Sequence, residues 1–264
     1  MRNYSFFELK KILEAGVEKY NRIEFIKDDP IQVPHLFSNY NDIEISAFLA
    51  STIAWGQRKT IISNAYKLVG LMNNQPYNFI MNMTSRKMNA FQSYKHRTFM
   101  SDDLIYFLIS LDNIYKNHRG LKNVFLKGYN KQHSISDALK YFRTVFFEVP
   151  GFGRTSKHIS DITKGASAKR LNLFLRWMVR HDNVGVDFGI WPEFYPADLY
   201  LPLDVHTGNT ARKFGLLTRK QNDWKAVEEV TFKLRKFDPT DPVKYDFALF
   251  GMGSEKGFLS DKEL

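Results

Sequence analysis

The sequence predicts an all-α protein, and three observations carry that prediction. Apolar residues recur at helical spacing along most of the chain, and helix-start and helix-stop residues punctuate those runs. Alternating apolar and polar runs bounded by Asn-Gly or Asp-Gly turns are missing. With 264 residues, 44% of them hydrophobic, the chain is long enough for one large domain or two small ones burying a shared core. That composition excludes collagen, a disordered chain and a coiled coil.

The first helix opens at Ser5, where the Ser5-x-x-Glu8 spacing is a capping box and Leu9, Ile12, Leu13, Val17 and Tyr20 follow on one face. Asp42 precedes IEISAFLASTIAW, a mostly apolar run read as a buried helix, and a break at Gly56 leads into a helix over KTIISNAYKLVGLM. Ser101, Asp102 and Asp103 start another, DDLIYFLISLDNIYKNHRG, whose basic last turn and Gly120 suit a helix end. Further helices are expected at 134–147, 167–181, 205–216, 222–237 and 241–251, the last opening on Asp241-Pro242. The longest irregular stretch is FGIWPEFYPADLYLPLD (188–204), a candidate crossing between domains.

Zero cysteines exclude disulfides, thiolate nucleophiles, cysteine-ligated zinc and cysteine-held iron–sulfur clusters. The uncharged apolar stretches stay below the roughly 18 residues a bilayer span needs, so no membrane association is expected and a cytoplasmic location is. The formal charge of +10 is uneven along the chain. Residues 1–44 carry 6 basic and 8 acidic side chains, residues 45–180 carry 21 and 6, and residues 181–264 carry 11 and 14. From Ile45 to Ser101 there is no acidic residue, whereas Arg58, Lys59, Lys67, Arg86, Lys87, Lys95 and Arg97 are present. An anionic partner follows from a bias sustained over half the chain.

Three segments stand out together: FLASTIAWGQRKTIISNAYKL (48–68), KGASAKRLNLFLRWMVRHD (164–182) and LPLDVHTGNTARKFGLL (201–217). In the second, the small-residue loop Gly165-Ala166-Ser167-Ala168 runs into an apolar helix beginning at Lys169 and Arg170, and the free N–H groups of such a helix start suit a phosphate. In the third, Asp204 stands before an amphipathic stretch, where by itself it reads as a helix N-cap.

These segments carry a resemblance. LDVHTGNTARKFGL resembles the "VDTHV-x-RVA-x-RLGL" signature of the helix-hairpin-helix DNA glycosylases, the superfamily of endonuclease III. GASAKRLNLFL is similar to its "LPGVG-x-KTA-x-x-x-L" hairpin, and AWGQRKTIISNAYKL to its early "LLSAQTTD-x-x-V-x-x-A" helix pair. More narrowly, KRLNLFLRWMVR, GVDFGIW and PLDVHT resemble the marks of an uncharacterised bacterial family related to these enzymes, DUF2400. The resemblance implies a two-domain helical fold with a helix-hairpin-helix-type motif and a cleft between domains. A basic six-helix domain would span 41–182 and end in the hairpin, with a second domain built from 1–40 and 183–264.

It further implies a base-excision glycosylase acting on duplex DNA, with or without AP-lyase activity, as a monomer at the nucleoid, needing no metal or cofactor. Lys169 falls at the nucleophilic lysine and Asp204 at the catalytic aspartate. Gln57 matches the glutamine that enters the helix at the lesion, and Arg58, Lys59, Gly165, Ser167, Arg170 and His206 are candidate DNA contacts. His206 reads equally as a phosphate contact or a buried, hydrogen-bonded histidine. Trp55, Trp177 and Trp191 are candidates for stacking a flipped base, with at least two of the three expected in the core.

Departures from the pattern are clear. Lys169 and Asp204 are 35 residues apart, and the loop before Lys169 lacks the Pro-Gly-x-Gly glycines. A literal copy of that pattern stands at VPGFGRTSKHI (149–159), which makes Lys157 the runner-up nucleophile. Two rival readings remain at this point: a non-catalytic nucleic-acid-binding protein on the same scaffold, and a His/Asp metal phosphohydrolase using His181, Asp182, His158 and His206.

Overall fold

The structure, a computed structural model, describes residues 4–151 and 153–255. Twelve helices run along the described chain: α1 (Phe6–Tyr20), α2 (Tyr40–Thr52), α3 (Arg58–Leu71), α4 (Pro76–Met81), α5 (Ser85–Met88), α6 (Ser101–Asn117), α7 (Leu121–Tyr129), α8 (Ile135–Phe146), α9 (Lys169–Val179), α10 (Val205–Lys213), α11 (Trp224–Phe237) and α12 (Tyr245–Ser254). A hairpin of two-residue strands, β1 (Lys95–His96) and β2 (Phe99–Met100), makes up the sheet structure among the described residues. The protein is therefore all-α, as its periodicity predicts. No helix among the described residues is long and apolar enough to cross a membrane.

The chain divides into two units. One holds Ile26–Asp161, and the other joins the residues up to Phe25 to those from Ile162 onward. Both crossings lie away from the positions expected near 41 and 182, so α9 and its entry loop belong with the chain ends. The irregular 188–204 stretch likewise lies inside that second unit, not between units. Counted this way the charge is more even: 17 basic and 10 acidic residues in 26–161 against 21 and 18 elsewhere.

In the 26–161 unit, α2 is the central rod, buried on all sides from Ile43 to Thr52. It starts before Asp42 because Asn39 is the true cap, its side chain accepting from the N–H groups of Asn41 and Asp42. Asp42 instead accepts the Tyr77 N–H at 2.8 Å, fixing the start of α4. Phe48 packs against Phe107, Phe142 and Phe146, tying α2 to α6 and α8. Short α7 falls outside the sequence expectation, and it approaches α8 so closely that a Cβ on Gly128 would lie 2.8 Å from the Ala138 Cα.

In the other unit, α1 has the predicted capping box, with Ser5 and Glu8 satisfying one another. Close glycine contacts hold α12 in place: a Cβ on Gly251 would strike the Tyr20 ring of α1, and one on Gly253 the Thr210 hydroxyl of α10. The loop before α9 turns through Gly165 (φ +83°) and Ala168 (φ +51°), the latter a left-handed conformation unfavourable for a residue with a Cβ. Its position is fixed by the Trp224 N–H, which donates to the Gly165 carbonyl at 3.0 Å.

Candidate active site

Lys169 is the first residue of α9 and Asp204 the N-cap of α10, and these two helix starts face one another. The Lys169 Nζ lies 3.9 Å from Asp204 Oδ2, with the side chains 24% and 22% exposed. That separation is longer than a hydrogen bond, so the amine is near the carboxylate without being locked onto it. Asp204 Oδ1 accepts the Thr207 N–H at 2.9 Å, and the Asn222 side chain donates to the Asp204 carbonyl at 3.0 Å. One carboxylate oxygen of Asp204 therefore caps the helix while the other faces the lysine.

Beneath this pair lies a buried charge network that sequence reasoning missed. Positions 169, 176 and 180 share one face of α9 at helical spacing, which puts Arg176 and Arg180 in line behind Lys169. Arg176 donates to Asp246 of α12 and, through Nε, to Asp187 Oδ1 at 3.2 Å. Arg180 donates to Asp187 Oδ2 at 3.1 Å and Asp241 Oδ2 at 2.9 Å, and pairs with Asp182 at 2.7 Å. Both guanidinium groups also lie over the Phe247 ring, at 4.4 and 5.3 Å.

Burial pushes the Asp246 carboxyl up to about 6. Arg176 and Lys169 oppose that rise, and the charges of Asp204 and Asp187 add to it, so Asp246 responds to both members of the partly buried pair. Burial likewise raises Asp241 against the pull of Arg180. Asp182 is held below the ordinary carboxylate value, because the Asn21 hydrogen bond and the Arg180 charge outweigh its burial.

The other predicted residues fall into place individually. Gly165, Ser167 and Arg170 are partly buried around the α9 start, and desolvation lowers the Arg170 guanidinium to about 10, where it still carries its charge at neutral pH. His206 is exposed, not buried, and its Nδ1 donates to the Gly253 carbonyl at 3.2 Å. Gln57, Arg58 and Lys59 are exposed at the start of α3. Two further cations belong to the same unit: Arg97 of the basic run, in the hairpin turn, whose side chain lies against Gly56, and Arg154, which donates to the Thr98 carbonyl at 2.9 Å and pairs with the buried Asp103 at 3.1 Å.

Trp177 and Trp191 are fully buried, which corrects their assignment as stacking surfaces and meets the expectation that two of the three tryptophans are core. Trp55 is partly buried, edge-on to His96 and stacked at 6.0 Å on His158. Lys157 is exposed in a short 3-10 turn, Gly153–His158. That turn is anchored, because Thr155 donates to the buried Asp103 at 2.9 Å and His158 lies 3.3 Å from it. Among the described residues no three His, Asp or Glu side chains gather as a metal ion requires, so the His/Asp phosphohydrolase reading finds no site there. Asp182 is instead engaged by Arg180, Asn21 and the backbone N–H groups of Val184 and Gly185.

The protein is thus all-α, with a lysine and an aspartate at two helix starts over a buried arginine–aspartate support. The chain belongs to the DUF2400 family of proteins of unknown function, whose sequence model matches residues 29–255. No curated protein and no solved structure matches it.

Proposed function

We propose that the protein is a DNA base-excision glycosylase in which Lys169 is the nucleophile and Asp204 its partner carboxylate. The observation that carries this reading is the 3.9 Å approach of Lys169 Nζ to Asp204 Oδ2, two residues that the glycosylase resemblance singles out independently. The exposed cations Arg58, Lys59, Arg97 and Arg154 and the α9 entry loop support an anionic polymer as partner.

On this reading the lysine ammonium gives its proton to the departing base, and Asp204, remaining a carboxylate, stabilises the positive charge that develops at the sugar C1′. The amine forms a bond to C1′ as the glycosidic C–N bond breaks, and the base leaves with the bonding pair and takes up a proton. Opening of the sugar ring then gives a Schiff base, from which β-elimination cleaves the strand. Water attacking in place of the amine gives base removal alone.

Borohydride reduction with duplexes that each carry one lesion tests this assignment. The wild-type protein should yield a covalent adduct whose modified peptide contains Lys169. Lys169→Gln should abolish trapping, and Lys157→Gln should leave it intact. The reverse pattern transfers the nucleophile to Lys157. Lesion-duplex binding with neither base release nor trapping would leave a non-catalytic nucleic-acid-binding protein.

A further inference from the structure

In the unit that carries Lys169, an open groove of about 420 Å³ lies between the start of α1, the turn after α10 and the last turns of α11. Its floor is apolar, made by Leu9, Phe214, Leu216 and Phe237, and Lys213, Lys233 and Lys236 stand around it. Three large aromatic side chains continue this surface outward. Phe6 stacks on Phe237 with ring centres 4.7 Å apart, Phe7 meets Phe6 edge-on, and Phe232 lies under the Lys236 ammonium at 5.0 Å. Phe7 is 81% exposed and Phe232 61%.

Single exposed apolar residues need no explanation, but adjoining exposed aromatics beside a concave apolar floor mark an interaction surface. We propose that this groove docks a peptide segment of a partner protein, acidic in charge and anchored by one or two large apolar side chains. The lysines select the charge. Glu229 partly offsets Lys233, at 3.6 Å, and Lys236 is exposed at the rim over the Phe232 ring. The concave floor selects a peptide side chain over a stacked base, because Leu9 and Leu216 are aliphatic and Phe214 and Phe237 are largely buried, which leaves no flat ring face in the floor for a base.

The groove sits at the C-terminal end of α10, whose N-terminal end bears Asp204. Nine helical residues separate the two by roughly 13 Å, so a docked segment leaves the Lys169–Asp204 pair uncovered. The inference stands without the proposed reaction.

The test is fluorescence anisotropy with the full chain and a labelled peptide of Asp and Glu residues carrying one Leu and one Phe anchor. Saturable binding in the range of about 1–100 μM is expected, weakening as salt rises. Phe7→Ser and Lys236→Glu, both at exposed positions, should each weaken it at least about tenfold, about 1.4 kcal/mol. Unchanged melting by circular dichroism would show that both variants fold. An acidic peptide with both anchors replaced by Ser should bind at least tenfold more weakly. The proposal is overturned by the absence of saturation at about 1 mM, by variants that bind like wild type, or by equal binding of the anchorless peptide. It is equally overturned if dodecanoate or duplex DNA, but not the peptide, shows binding sensitive to Phe7→Ser and Lys236→Glu.

Discussion

Replacing Asp246 with asparagine should flatten the dependence of stability on pH between about 4.5 and 7. In the native protein burial moves this carboxyl from 3.8 to about 6, so the folded state holds the proton more tightly than the unfolded chain does. The stability this confers is fully present below 3.8 and is lost as pH rises through 6. At about 1.4 kcal/mol per pH unit the loss amounts to roughly 3 kcal/mol in all, of which about 2 falls between about pH 4.5 and 7. Carboxyls held low act in the opposite sense and at lower pH. Burial raises Glu229, but hydrogen bonds from Thr218 and Arg219 outweigh it, and Asp182 is held low in the same manner, so both lose their contribution only as pH falls below about 4.5. Asp241, also raised by burial, remains in both proteins, as do the histidines, and cancels in the difference. The asparagine keeps an oxygen that can accept from Arg176 while removing the charge. Urea unfolding of both proteins across this range should show the variant gaining about 2 kcal/mol relative to wild type from the acidic to the neutral end. Two curves that remain parallel would refute the argument, whatever their vertical offset.

Asp204→Asn should leave thermal stability within about 1 kcal/mol, since asparagine caps a helix as well as aspartate does. Base release from a lesion duplex should nevertheless fall by about 100-fold or more, and melting curves alongside product assays separate the two effects. Replacing Arg58 and Lys59 together by glutamine should reduce the slope of log affinity for duplex DNA against log salt by about 2, read from binding isotherms at several salt concentrations. Gly128→Ala should cost about 1–3 kcal/mol in denaturant unfolding, because its Cβ would lie 2.8 Å from the backbone of α8. Gly70→Ala, exposed in α3 with nothing within 4 Å, should instead stabilise by up to about 1 kcal/mol.

Local chemistry made most of the helices legible and left their partners out of reach. The Ser5 and Glu8 box, the Asp204 cap and the apolar face of α9 are decided by residues within one or two turns of each other. Asn39 was harder to read because Asp42 nearby offered the same capping chemistry, and only the distant Tyr77 N–H shows which carboxylate or amide is occupied elsewhere. The β1–β2 hairpin is too short for alternation to register, and its turn sits on Arg97 at φ +54°, where a glycine or asparagine would be the usual signal. The domain boundary came from the glycosylase resemblance, with which the charge count agreed, and both place the cations of α9 with the middle of the chain. Packing places them with the ends.

Of the site, the motif segments pointed to Lys169 and Asp204, whereas its support could not be read. Arg176, Arg180, Asp187 and Asp246 belong to three separate stretches, and each charge alone looks like an ordinary solvated side chain. What identifies them is that Arg176 and Arg180 interrupt an otherwise buried face of α9, so each requires a buried carboxylate. The resulting inventory is unequal: two guanidinium groups meet Asp182, Asp187, Asp241 and Asp246. With all four carboxylates ionised the support carries net negative charge beneath Lys169, and with Asp246 protonated it still does. Such a field is fixed before any substrate arrives, and in a partly desolvated site it favours a cation at the surface above it. On the proposed reaction that cation is first the lysine ammonium, which must lose its proton before attack, and then the electron-deficient sugar, so the buried aspartates lower the barrier to the extent that they stabilise the sugar cation more than the ammonium.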